Sequence, residues 1–269
     1  MLSKIGFVVD NGEERTEIQN MNQERTIVPR KSVVEVYFPD RQMTLSYFND
    51  KFDLLVNDVV FVEGKLEGLR GIVRSVNYDF KIKLSEYKKV IRVADTDVKG
   101  ELYITPYRYM SFDKNTLNYE KVSSWFVCKN DEDYEVGGSD KSFPLNDLSE
   151  MNIQSHIAER GHDYYMENNV VFLELDGNKG RAIVEGSKVY DVEFNYENGM
   201  VSNLVCDCFC PYACKHQFAV MLQLRECLED VEKLYKKEYE ASGYFASVFK
   251  QTLHIFAINN KQSGKLVLD

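Results

Sequence analysis

No apolar run in this chain approaches the ~18 residues that a helix needs to cross a bilayer. The opening stretch, MLSKIGFVVDNGEERTEIQN, lacks the long apolar core of a secretory signal. These two absences predict a cytoplasmic protein with no membrane contact. Basic charge is also in short supply: 33 Lys and Arg stand against 43 Asp and Glu, a net charge of −10. Affinity for nucleic acid comes largely from counterions displaced by Lys and Arg. The chain as a whole is therefore a poor polyanion binder, and any DNA contact has to be local. The spacings of familiar catalytic and nucleotide sites are missing too. GNKGRAIVEGSK (177–188) has five residues between Gly180 and Gly186, where a phosphate loop has four and then Lys-Ser/Thr. No G-x-S-x-G or H-E-x-x-H occurs. A non-enzyme without a small-molecule substrate is expected.

Apolar residues make up 44% of the 269, enough for a packed core, and a chain of this length makes one large or two ordinary domains. Short runs of alternating character begin at Ser32: SVVEVYF, MTLSYF, DVVFVEG, RGIVRSV, FKIKLS and KVIRVAD. Val, Ile, Phe and Tyr alternate with polar residues, and Gly or Asp punctuates. They predict a small antiparallel barrel or sandwich over about 30–110. Within it, NDVVFVEGKLEGLRGIVRSV (57–76) resembles the strand, glycine turn and strand of SH3-like barrels. NDEDYEVGGSDKS (130–142) has five acidic residues and a Gly-Gly pair, which marks a linker. The expected division is a β-domain over 1–130, an acidic linker over 131–148 and a second domain over 149–269.

The second half predicts a short helix at 155–168, strands in VVFLELDG and GRAIVEGSKVYDVEFNY, a turn at 197–199 and another strand in MVSNLVCDC. A long helix follows Cys214, with Phe218, Met221, Leu222, Leu224, Leu228, Val231 and Leu234 as its apolar stripe. A helix or turn and then a strand are expected in 243–269. The fold class is α+β.

CDCFCPYACKH (206–216) holds four cysteines and a histidine. In a reducing compartment, thiols at such short spacing hold metal more often than they pair as disulfides. Cysteines at i and i+2 of an extended segment lie on one side of it. Cys214 and His216 fall where the long helix starts, and a helix N-terminus favours a thiolate. A strand-end pair and a helix-start pair can therefore close on one zinc ion. Three thiolates, a neutral imidazole and Zn²⁺ sum to −1 and leave no open position, which is the structural kind of site. The strand-end pair is either Cys206 and Cys208 or Cys208 and Cys210.

Cys-x-Cys, a gap, then Cys-x-His leading into an apolar helix resembles the SWIM zinc finger. Here it is Cys206-Asp-Cys208, five residues, Cys214-Lys-His216, then QFAVMLQL. Upstream, ERGHDYY (159–165) and GRAIVEGSKVYDVEF (180–194) resemble the segment before the finger in bacterial SWIM proteins, so the likeness covers about 155–230. It implies structural zinc and a protein or DNA partner, beside SWI/SNF-type helicase-like ATPases in bacteria. The family's gap is usually longer than five residues. The register on Cys208 and Cys210 gains a proline after its second cysteine but leaves only Pro-Tyr-Ala to reverse the chain. The favoured ligands are Cys206, Cys208, Cys214 and His216, with Cys210 a spare thiol. A thiol-dependent enzyme using Cys210 is the alternative.

Other candidates carry less. Cys128 and Cys227 stand alone and are expected to pack as small hydrophobes. His156 and His162 are six residues apart, on different helix faces, and His254 has no neighbour in sequence. Lys65, Arg70, Arg74, Lys81 and Lys83 are candidates for one basic side of the barrel, though acids intervene.

Overall fold

The computed structural model describes residues 29–126, 137 and 141–258, with the backbone of 4–8 and 265–268. Cys128 and the acidic run Asp131, Glu132, Asp133 and Glu135 lie outside the described residues. The chain is α+β, and the described strands make two antiparallel sheets. Among the described residues no helix is long and apolar enough to cross a membrane.

Strand β1 (Lys4–Val8) belongs to the larger sheet. The next five, β2 (Ser32–Phe38), β3 (Met43–Asn49), β4 (Val59–Val62), β5 (Gly71–Asn77) and β6 (Val90–Val93), form the smaller one in the order β3-β2-β5-β4-β6. It curls until its ends meet: the Phe48 amide donates to the Lys88 carbonyl at 2.9 Å, and Phe48 bridges Lys89. Alternation in β2 buries Val34, Val36 and Phe38 against Val60, Val62 and Val73. FKIKLS is not a strand, despite its alternation. Lys88 and Lys89, just before β6, take the edge of β3 at Phe48, and Phe80 packs edge-on against Phe48 at 6.0 Å.

The larger sheet draws on both halves of the sequence. It uses β7 (Gly100–Ile104), β8 (Arg108–Ser111), β9 (Ser142–Pro144), β10 (Val170–Asp176), β11 (Lys179–Glu185), β12 (Val189–Glu197), β13 (Met200–Cys206), β14 (Tyr244–Phe249) and β15 (Lys265–Leu268). The order is β15-β1-β7-β8-β14-β10-β11-β12-β13-β9. Strand β14 sits mid-sheet where a helix or turn was expected. YFASVF is buried at every position but its last, so it lacks the alternation that marks a half-exposed strand.

Helix α1 (Tyr119–Phe126) covers one face, where Trp125, Phe172, Ile183, Ala246 and Phe256 share a core with Val59 and Phe61 of the small sheet. Helices α2 (Ser155–Met166) and α3 (Lys215–Leu234) cover the other. There Leu173, Leu175, Ala182, Val192 and Phe245 meet Ala219, Val220 and Leu224. Burying each Leu, Val or Phe contributes about 1.5–3 kcal/mol. Helix α4 (Lys236–Ser242) follows and ends at Gly243.

Two details aim the second half. Asn198 and Gly199 both have positive φ, 51° and 82°, as a tight hairpin joining β12 to β13 requires. At the seam between α2 and α3, a Cβ on Gly161 would lie 2.9 Å from the Lys215 carbonyl oxygen and from Phe218 Cβ. Glycine is what lets α2 close on the first turn of α3. Gly161→Val is expected to destabilise the protein by about 1–3 kcal/mol through overpacking, measured as a lower urea midpoint. An unchanged midpoint would contradict the tight seam.

Candidate metal centre

Strand β13 ends at Cys206, and α3 begins one residue after Cys214. The pairing of β12 and β13 brings Cys206 opposite Val192. One residue on, the Asp207 amide donates to the Asp191 carbonyl at 3.1 Å, and the Asp191 amide donates to Asp207 Oδ1 at 3.0 Å. This reciprocal pair holds the chain in line as it leaves the sheet. Burial pushes the Asp207 carboxyl up from its ordinary range.

The helix start is fixed by a capping box with sulfur in the place of the usual hydroxyl. The Gln217 amide donates to Cys214 Sγ at 3.4 Å, and the Cys214 amide donates to Gln217 Oε1 at 2.9 Å. Gln217 Nε2 also donates to the Leu204 carbonyl at 3.0 Å. One side chain thus ties the first turn of α3 to the last turns of β13.

These supports bring four donors together. Single ligand atoms of Cys206, Cys208, Cys214 and His216 all lie within 4.8 Å of one another. His216 Nδ1 is 3.7 Å from Cys206 Sγ and 3.9 Å from Cys214 Sγ. Tetrahedral bonds of about 2.3 Å to sulfur and 2.0–2.1 Å to nitrogen would set sulfur–nitrogen edges near 3.6 Å. The observed separations are close to those of a tetrahedron around one ion, so this Cys3His cluster can hold a metal. Cys210 is exposed and stands outside the group.

Protonation in the cluster is divided. Cys214 is held down to about 4, first by its hydrogen bond with Cys206 and then by His216 and the Gln217 amide, against the cost of burial. The same bond, with burial, drives Cys206 far up. Burial pushes Cys208 up to about 11. An incoming metal would displace the protons that the sulfurs hold.

The His216 ring is set by two tyrosines that sequence reasoning did not single out. Tyr190 stacks on it at 4.0 Å and 21°, and Tyr164 meets it edge-on at 5.5 Å. Among the described residues its buried Nε2 has no hydrogen-bond partner, and Nδ1 is the nitrogen that faces the sulfurs. Lys215 points away from the donors and bonds Tyr164 Oη at 2.6 Å. The signal for Tyr164 lay in ERGHDYY and that for Gln217 in its place three residues after the cap. Tyr190 carried no local signal.

The remaining candidates are dispersed. His156 and His162 are exposed, and His254 Nε2 lies 3.0 Å from Tyr109 Oη. Cys227 is buried within α3, where Gln223 Nε2 approaches its sulfur at 3.6 Å. Arg70 pairs with Glu185 at 3.3 Å and faces Phe256, Arg74 lies over Tyr37, and Lys83 pairs with Glu86. Cys206→Ser is expected to abolish stoichiometric metal binding and Cys210→Ser to preserve it, measured as metal per chain after gel filtration. The opposite pattern would move the site onto Cys208 and Cys210. No family model matches this chain, and no curated protein or solved structure matches it either.

Proposed function

We propose that this chain is a zinc-binding module of the SWIM type, non-enzymatic and cytoplasmic, whose product is a binding surface. The observation that carries the reading is the convergence of three sulfurs and one imidazole nitrogen within 4.8 Å at the joint between β13 and α3. Three sulfur donors in a near-tetrahedral cluster suit zinc, and four protein ligands leave no position for water or substrate. The ion would be held by Cys206, Cys208, Cys214 and His216, and would lock the strand exit to the helix entry. The order Cys-x-Cys, gap, Cys-x-His, apolar helix supports the SWIM assignment.

The partner is a protein, or DNA touched locally, in an assembly that includes a helicase-like ATPase. A net charge of −10 favours the protein. An SH3-like role for the small closed sheet, as a spacer or second contact, fits the same picture.

The test is metal content together with its consequence. Purified chain is expected to carry one zinc per molecule, and its removal by a chelator to lower the melting temperature by several degrees, reversed by adding zinc. A chain that purifies without metal and melts identically with and without chelator would refute the reading. DNA retention at low and moderate salt separates the partners: steep loss with salt marks phosphate contact, and no retention leaves the protein.

A further inference from the structure

The loop between the second and third donors displays two aromatic rings in solvent. Phe209 is 99% exposed and Tyr212 80% exposed, on either side of Cys210 and Pro211. Among the described residues these are the two most exposed large apolar side chains, and they lie three residues apart on one short loop. The proline restricts the backbone between them. Cys208 at one end and Cys214 at the other fix the loop to the donor cluster. The tip is therefore a short, braced platform with two free π-faces.

Charge decides what such a platform suits. From Cys206 to Cys214 the chain carries Asp207 and no Lys or Arg. With zinc, the donor set adds a further negative charge, and Lys215 is turned back onto Tyr164. An acidic tip disfavours a phosphate backbone, and it disfavours a second copy of itself across a two-fold axis. It suits cations. Elsewhere in this protein arginines cover aromatic faces repeatedly: Arg30 over Tyr78 at 4.3 Å, Arg74 over Tyr37 at 5.0 Å and Arg181 over Tyr119 at 5.1 Å. Arginine stacks on such rings as well as pairing with negative charge, and lysine does so less well.

We propose that Phe209 and Tyr212 form a docking tip for an arginine-bearing basic segment of a partner protein. The inference rests on the metal-centre reading for the bracing of the loop. Its test uses the full chain, with zinc per molecule measured on the same sample. Fluorescein-labelled (Arg-Gly)5, (Lys-Gly)5 and a 15-nucleotide oligothymidylate are titrated at 0.15 M salt and followed by anisotropy. The arginine peptide is expected to bind roughly two- to threefold tighter than the lysine peptide, because the guanidinium plane stacks on the rings as well as being attracted to them. In the double variant Phe209→Leu/Tyr212→Leu, which keeps charge and apolar bulk, that preference is expected to vanish while the zinc ratio stays unchanged. Equal binding of the two peptides by the native chain, or an arginine preference that survives in the double variant, would overturn the proposal. So would oligothymidylate binding tighter than the peptide and lost in the double variant, since it would make the tip a base-stacking surface. The zinc ratio tests the metal centre and the peptide preference tests the tip, so either fails separately.

Discussion

Four soft or borderline donors share a space less than 4.8 Å across, and the chain on either side is built to keep them there. Unligated, that arrangement is costly. Three sulfurs in mutual contact share protons unevenly: Cys214 is driven low by the bond that drives Cys206 high. His216 is 3% exposed and keeps a ring nitrogen without a partner. A divalent ion would take up the sulfur charge and bind His216 Nδ1, the ring nitrogen that faces Cys206 and Cys214. The loop from Phe209 to Tyr212 buries little of its own, so a bound metal would be a main source of its order.

The rest of the second half serves as a frame for that joint. The hairpin at Asn198-Gly199 sets the register of β13 on β12, which in turn places Cys206. The exchange between Asp191 and Asp207 extends that pairing past the end of the sheet. Gln217 joins the helix start to Leu204 of β13, while Gly161 lets α2 press on Lys215 and Phe218. The helix is anchored further along by a buried cation. Arg108 donates to the Val170 carbonyl at 2.8 Å, to Ser247 Oγ at 2.6 Å and to Gln223 Oε1 at 3.3 Å. That one guanidinium links β8, β10, β14 and α3. Burial lowers its affinity for a proton, and the nearby Cys227, Glu226 and Tyr165 act in the opposite direction.

Much of this was legible because it is local. Alternating residues marked β2 to β6, the spacing of Leu224, Leu228 and Val231 marked α3, and the four donors lie within eleven residues of sequence. What escaped was long-range. Nothing in RYMS says that this strand joins β14 across more than a hundred residues, because pairing partners are chosen by the assembled sheet. FKIKLS had a strand's pattern, yet it is Lys88 and Lys89 that meet the edge of β3 at Phe48. Tyr190, near the start of β12, stacks on His216, a contact that no spacing rule reports. The choice between Cys206 and Cys210 turned on chain reversal, and the geometry places Cys206 in the group and Cys210 in solvent.

X-ray absorption at the zinc edge of the purified, metal-replete chain tests the central claim most directly. The account predicts a first shell of three sulfurs at about 2.3 Å and one nitrogen at about 2.0–2.1 Å, collapsing when Cys206 is replaced by serine. A shell of oxygen and nitrogen alone, or one that survives the loss of Cys206, would contradict it.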